Sequence, residues 1–414
     1  YTLSGGDLTL TTGGIAVSAS SVATIASQLL GTAAVTKTSA GTLVLSGLNT
    51  YTGGTTIQAG TVRITRDVNL GDTSGALTFD GAGVTLQNHG AYLGRTIALT
   101  TGSSATIDVP RYITLGMGGG LTGDSTTTLT KTGGGELRVF GDNSGFEGTL
   151  VIANGLENAA ANTVRLLGTS AYGPTQANGT LRNAGAINIG QGARLMIDNS
   201  LMNINSQVDR VKDTATITLS GGYLYYYSPN FNNTFTETVG NVVLGQGVSL
   251  ISSNKTGSTA IAVLDLGTLT SSKGSALYFT SNGTLGTQAK IMFDGVSDGF
   301  MGGQYLAFPG TTRQDFVKYD SASGVLALTD SDYVTITGNG TGWEAGWING
   351  ADIRLTHATT GNVTYAFTQS HTANSLNMHG INGFTDTTQL NLTITGFVLN
   401  VASGGINVGG NLMS

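Results

Sequence analysis

Gly118-Gly119-Gly120-Leu121-Thr122-Gly123 matches the G-x-G-x-x-G spacing with which a loop can wrap a phosphate in backbone N–H groups. That use needs a strand before the loop and a helix after it. The residues just beyond are Thr126-Thr127-Thr128-Leu129, a β-forming run, so these glycines read as a chain corner. Asp330-Ser331-Asp332 and Asp294-Gly295-Val296-Ser297-Asp298 offer the hard oxygens that Ca²⁺ takes, yet neither completes a calcium-loop pattern. Solvated turn carboxylates are their expected role; no cofactor is expected, Ca²⁺ being the one cation weighed. His89, His357, His371 and His379 are scattered, and His371 and His379 have no carboxylate or cysteine close by in sequence, which argues against a zinc set or a nucleophile triad. With few charges and no acid cluster, a β-helix polysaccharide-degrading enzyme is an outlying alternative, and the chain is expected not to be an enzyme.

Aromatic residues are the better lead. Trp343 and Trp347, the only tryptophans, stand together in a glycine-rich stretch, and Tyr305 and Phe308 break the strand rhythm upstream. Such rings either pack over a local bend or form a contact for a neighbouring subunit or a glycan. These four are the candidate interaction residues. Tyr223, Tyr225 and Tyr227 alternate onto one face, which favours a stacked stripe over a sugar platform.

The elements that carry these residues are strands. Runs such as Leu43-Val44-Leu45, Val62-Arg63-Ile64, Ile217-Thr218-Leu219 and Val325-Leu326-Ala327-Leu328 alternate, turning one face inward and one to solvent. They recur every ten to fifteen residues, with Gly, Asn, Asp and Ser between them. The best helix candidate is 20–30, ended by Gly31. The 414 residues include 64 Gly, 4 Pro, no Cys and 10% charged residues. No apolar run approaches the roughly 18 residues of a spanning helix. Lys and Arg occur singly (Arg63, Arg95, Arg111, Arg138, Arg165), never as a block, so nucleic acid is not an expected partner. The chain begins at Tyr1 without Met or signal peptide, and reads as a processed or excerpted piece.

The stretch 37–61 reads as strand, tight turn, strand, glycine corner, strand, and a degraded copy occupies 131–155. Lys37, Gly41, Leu43, Gly47, Asn49, Gly54 and Thr55 recur 94 residues later. Such an echo means stacked structural units. The motif resembles the autotransporter-associated β-strand repeat of type V secreted passengers and giant bacterial surface proteins. Its pattern is Lys-Thr-Gly-x-Gly-x-Leu-x-Leu-x-Gly-x-Asn-x-Tyr-x-Gly-Gly-Thr. The first copy departs from it at Ser39; the second carries Gly145-Phe146 around the tyrosine position and has lost one glycine of the pair. The resemblance implies an extracellular right-handed parallel β-solenoid in a scaffold, adhesive or secretion-supporting role.

On this reading residues 1–293 are solenoid with repeats at about 36–64 and 130–156, 294–350 an irregular aromatic excursion, and 351–414 solenoid again. Asn49 is expected in an asparagine ladder, Tyr51 over its turn, and Gly53 and Gly54 at the chain reversal, with Asn143 and Gly148 as counterparts. At ~20–25 residues per coil and about 4.8 Å per coil, the chain would form a rod of order 80–95 Å. Residues 1–17 align without gaps on 392–408, which sets Leu8, Leu10 and Ile15 opposite Leu399, Val401 and Ile406 as candidate end-to-end contacts. The expected function is a structural segment of a bacterial surface filament, joined to itself head-to-tail or as tandem modules. An adhesin passenger displaying a glycan- or host-binding region is the alternative.

Overall fold

The computed structural model describes the chain except residues 12–13, 91, 156–161, 169–178, 203–208, 308–314, 338–342, 357–362, 380–389, 394–397 and 410–414. Two compact units emerge, Tyr1–Ser275 and Ala276–Ser414. The protein is an all-β parallel solenoid, its few helical segments being short 3-10 turns such as Asp67–Leu70 and Trp343–Gly346. The 20–30 stretch is not a helix. It forms strands Val22–Ile25, whose β-branched residues find parallel partners in the coils on either side, and Gln28–Leu30, which pairs with Asp7–Thr9.

From Val35–Thr38 onward most strands of the first unit bury alternate side chains and stack them on those of the next coil. One inward row reads Leu43, Val62, Leu86, Ile107, Lys131, Ile152, Ile189, Leu219 and Leu244, in register throughout. Leu43, Leu45, Ile57, Val62 and Ile64 are all buried. The first face of the solenoid runs from Thr2–Leu3 to Ile261–Ser271. A second face holds Tyr92–Leu93, Thr114–Met117, Glu136–Val139, Thr163–Leu167, Arg194–Asp198, Tyr223–Tyr227 and Gly247–Asn254; a third holds Gly14–Ala16, Val35–Thr38, Thr55–Ile57, Leu77–Phe79, Ile97–Leu99 and Leu121–Thr122. Coil length varies. Val22 pairs with Thr42, 20 residues on, but Thr149 pairs with Ala186, 37 residues on. The 118–123 glycines lie at the corner between Thr114–Met117 and Leu121–Thr122.

The second unit begins with an antiparallel meander, Gly299–Phe300, Tyr305–Ala307, Asp315–Asp320 and Gly324–Ala327. Parallel stacking then resumes through Val334–Thr337, Asp352–Thr356, His371–His379 and Leu399–Gly409.

Buried ionisable groups lock both units. In the first, Arg210 is wholly buried and donates to the carbonyls of Leu167 (3.3 Å) and Gly179 (2.7 Å) and to Asn199 Oδ1 (2.5 Å). Glu237, also buried, accepts the backbone N–H groups of Arg210 and Val211 at 3.0 Å each. Burial pushes the Glu237 carboxyl up to about 8, against the pull of those amides and of Arg210. Between the unfolded value near 4.5 and about 8 the folded chain keeps a proton that the unfolded chain has released. Stability therefore falls as pH rises across that window, by at most about 1.4 kcal/mol per pH unit. In Glu237→Gln that slope is expected to flatten, as read by urea denaturation across the same window.

Candidate functional site

The first repeat forms one closed coil. Lys37, inside the third face, pairs with Ile15 of the coil before and Ile57 of the coil after. Its ammonium donates to the carbonyls of Thr38 (2.8 Å), Ser39 (2.6 Å) and Ala59 (3.1 Å), and so ties the corner at 38–41 to the next coil. Burial lowers the Lys37 pKa. Asn49 bridges three coils: its Oδ1 accepts Leu29 N (2.8 Å) and its Nδ2 donates to Asn69 O (2.6 Å). Asn69 carries the pattern on, donating to Gly47 O at 2.9 Å. Tyr51 lies inside the solenoid, fully buried, its hydroxyl 2.6 Å from Thr55 Oγ1. Gly53 and Gly54 are required sterically: a Cβ on Gly53 would come within 2.4 Å of the Ala33–Ala34 backbone, and Gly54 sits at φ +80°.

The second repeat closes the same kind of coil one face further round. Lys131 lies in the first face, between Ile107 and Ile152, and donates to Thr132 O (2.6 Å), Gly133 O (3.1 Å) and Asn162 Oδ1 (2.7 Å). Burial brings its pKa down to about 7. Phe146 supplies the buried ring. Asn143 does not bridge coils through its amide; its Nδ2 donates to Phe140 O (3.2 Å) and Gly141 O (3.0 Å) in its own turn. The next coil meets this turn through Thr180, whose N–H donates to Gly141 O at 3.2 Å and whose Oγ1 accepts Asn143 N at 3.4 Å. Gly148 passes close to the previous coil, where a Cβ would meet Thr127 O at 2.4 Å.

Trp347 is a core residue of the second unit, and Trp343 is partly buried against the same cluster. Trp347 is 8% exposed and its indole N–H donates to Thr372 O at 2.9 Å. Trp343 packs edge-on against Trp347, Tyr365 and Phe367. Beside them His371 Nε2 lies 3.1 Å from Glu344 Oε1, a carboxylate 27 residues away in sequence, so this histidine does have an acidic neighbour. Thr368 N and Oγ1 donate to the same carboxylate, and its pKa is lowered by these bonds against the effect of burial. Tyr305 is buried against Phe279; Phe308 lies outside the described residues, as do His357 and the side chain of His379. Asp332 binds Lys318 Nζ (2.6 Å) and Thr329 N (2.7 Å), and Asp298 accepts Ser321 N (2.7 Å). Among the described residues no three His, Cys, Asp or Glu side chains gather as a metal site would require.

Leu8 and Ile15 lie on strands of the first coil, paired with Leu29 and Lys37, and Leu10 N donates to Leu30 O. Leu399, Val401 and Ile406 lie on Leu399–Gly409, the last strand of the second unit, and pair with His371, Ala373 and Leu376. Ile406 is exposed.

The family model described as passenger-associated-transport-repeat matches residues 35–64 and 129–156, the two coils just described. Residues 35–64 and 129–156 are thus passenger-associated-transport-repeat segments. Over 120 residues, 29% of its length, it is 42% identical to the Adhesin BmaC autotransporter of Brucella suis biovar 1 (strain 1330), and the matched stretch spans 3% of that relative. No solved structure matches significantly. A passenger repeat places the chain outside the cell or at the bacterial surface. No helix among the described residues is long and apolar enough to cross a membrane.

Lys37, Lys131, Arg95, Arg210, Arg354 and the Glu344–His371 pair are not singled out as site residues by sequence reasoning. A signal exists for the two lysines, since Lys opens both copies of the motif in an otherwise charge-poor chain.

Proposed function

We propose that this chain is a structural, non-enzymatic solenoid segment of a surface passenger, stacked end to end with further copies or tandem modules. The observation that carries the reading is the continuous register of the inward rows. A coil that buries apolar residues on both neighbours and ties its corners through Lys37 and Asn49 adds length at little cost to stability, as expected of a stalk. The likeness of residues 1–17 to 392–408 supports the stacking. Electron microscopy of the purified chain at rising concentration, with sedimentation velocity alongside, tests it. Fibres with a constant axial repeat are expected; particles that stay single at the highest concentration would sink the stacking.

The relative's description as an adhesin favours a second reading, in which the lateral faces of the stalk make adhesive contacts. Beads coated with the chain should then be retained on a mucin-coated surface, whereas uncoated beads wash off.

A further inference from the structure

The two long faces of the first unit differ outward. Between residues 149 and 243 the first face turns out Thr149, Val151, Ala186, Asn188, Thr216, Thr218 and Val243, small or short side chains without charge. The second face, over the same coils, turns out arginine and tyrosine. Stacking depends on the inward rows and is served equally well by threonine outside, so the arginines and tyrosines are surplus to the fold.

Their arrangement is ordered. Register sets Arg165 beside Met196 and Met196 beside Tyr225, with Arg194 beside Tyr223. The rings of Tyr225 and Tyr227 are stacked, 6.4 Å apart at 18°. The Arg194 guanidinium lies 5.9 Å from the centre of the Tyr223 ring. Arg165 is held between Glu136 (2.6 Å) and Asp198 (2.8 Å), and Arg138 binds Glu136 at 2.8 Å. Both acids are thereby taken up, and Arg194 has no acidic partner among the described residues. Among the described residues the face thus carries one cation in excess, on a chain whose net charge is −6. These arginines and the outward tyrosines are half-buried, held in place by their neighbours yet open on one side.

We propose that this face, centred on Arg194, Tyr223, Tyr225 and Tyr227, binds an extended polysaccharide bearing carboxylates. Tyrosine faces take the apolar faces of pyranose rings, and the Arg194 fork takes a uronate carboxylate. Successive strands are about 4.8 Å apart, close to the length of one sugar in an extended chain, so a glycan laid along the axis sets one sugar over the Tyr223–Tyr227 strand and the preceding one over the strand of Arg194. The proposal rests on the adhesive reading above and names its ligand class.

The test is binding of the whole chain to polygalacturonate, with an uncharged glucan of similar length as the comparison. Wild type should bind polygalacturonate, more weakly as salt is raised, and bind the glucan at least tenfold more weakly. Arg194→Thr and Tyr225→Thr should each lower affinity by about tenfold; Thr218→Ser on the first face should change nothing. Amide hydrogen exchange separates binding from folding: polygalacturonate should add protection within 194–198 and 223–227. Absence of wild-type binding, or unchanged binding in both variants, overturns the proposal. If Arg194→Thr beads still hold to mucin as wild-type beads do, this face is not the adhesive one and the adhesive reading stands. If wild-type beads also fail to hold, that reading falls as well.

Discussion

Arg95→Ala is expected to lower the stability of the first unit by about 3–5 kcal/mol, the cost of removing one partner from a buried ionic network. Arg95 is almost wholly buried and holds the turn of the preceding coil together. Its Nη1 donates to the carbonyls of Leu70 (2.9 Å), Asp72 (3.2 Å) and Gly75 (2.9 Å), its Nη2 to those of Asp67 and Gly71 (2.9 Å each), and its Nε to Asp67 Oδ1 at 2.6 Å. Alanine would leave these carbonyls unmatched and the Asp67 carboxylate without its cation. Lysine should rescue little, because the compact ammonium donates from a single nitrogen and cannot span all of these carbonyls. Coils in a solenoid are coupled mainly to their neighbours, so the damage should be local. Hydrogen exchange should show protection lost over 67–79 and retained over 186–219. A loss of stability under about 1 kcal/mol, the level of an ordinary surface ion pair, or a uniform loss of protection, would contradict this account.

Arg354→Met should destabilise the second unit by a similar amount, about 3–5 kcal/mol. Arg354 Nη2 binds Asp315 Oδ1 at 2.5 Å, and the guanidinium lies 3.9 Å from the centre of the Tyr333 ring. Asn377 Nδ2 donates to the same carboxylate oxygen at 2.7 Å, so the network joins the meander to the parallel strands. Methionine fills the space but removes the Arg354 cation from a fully buried carboxylate. The double variant Arg354→Met/Asp315→Leu should recover most of the loss, since the net worth of a buried pair is far smaller than the cost of halving it. Trp343 and Trp347, the only tryptophans, both lie in the second unit, so their fluorescence reports its denaturation selectively. A double variant as unstable as the single would show that packing, and not the stranded charge, dominates.

Much of the fold is legible in the chain because coil closure is local. Alternation in Leu43-Val44-Leu45 and Val62-Arg63-Ile64 dictates which side chains turn inward, and Lys37 meets Ile57 as Lys131 meets Ile152, one coil away in each repeat. Glycines at 53, 54 and 148 mark places where backbone passes backbone too closely for a Cβ. Residue type and short spacing alone are enough to produce these features.

The tertiary structure decided the rest. The first repeat begins on the third face and the second on the first face, because the residues spent on intervening corners set where a coil starts. Whether a lysine or arginine is a solvated side chain or a buried fastener depends on carbonyls that other coils present, as for Arg95 and Lys131. Trp347 turned inward, with Trp343 against it, for the same kind of reason: Tyr365, Phe367 and His371, contributed by later chain, close around them. Short-range spacing determines a coil, but the surroundings of an ion or a ring are assembled from distant chain segments. Glu344 and His371 stand 27 residues apart, and only stacking brings them together.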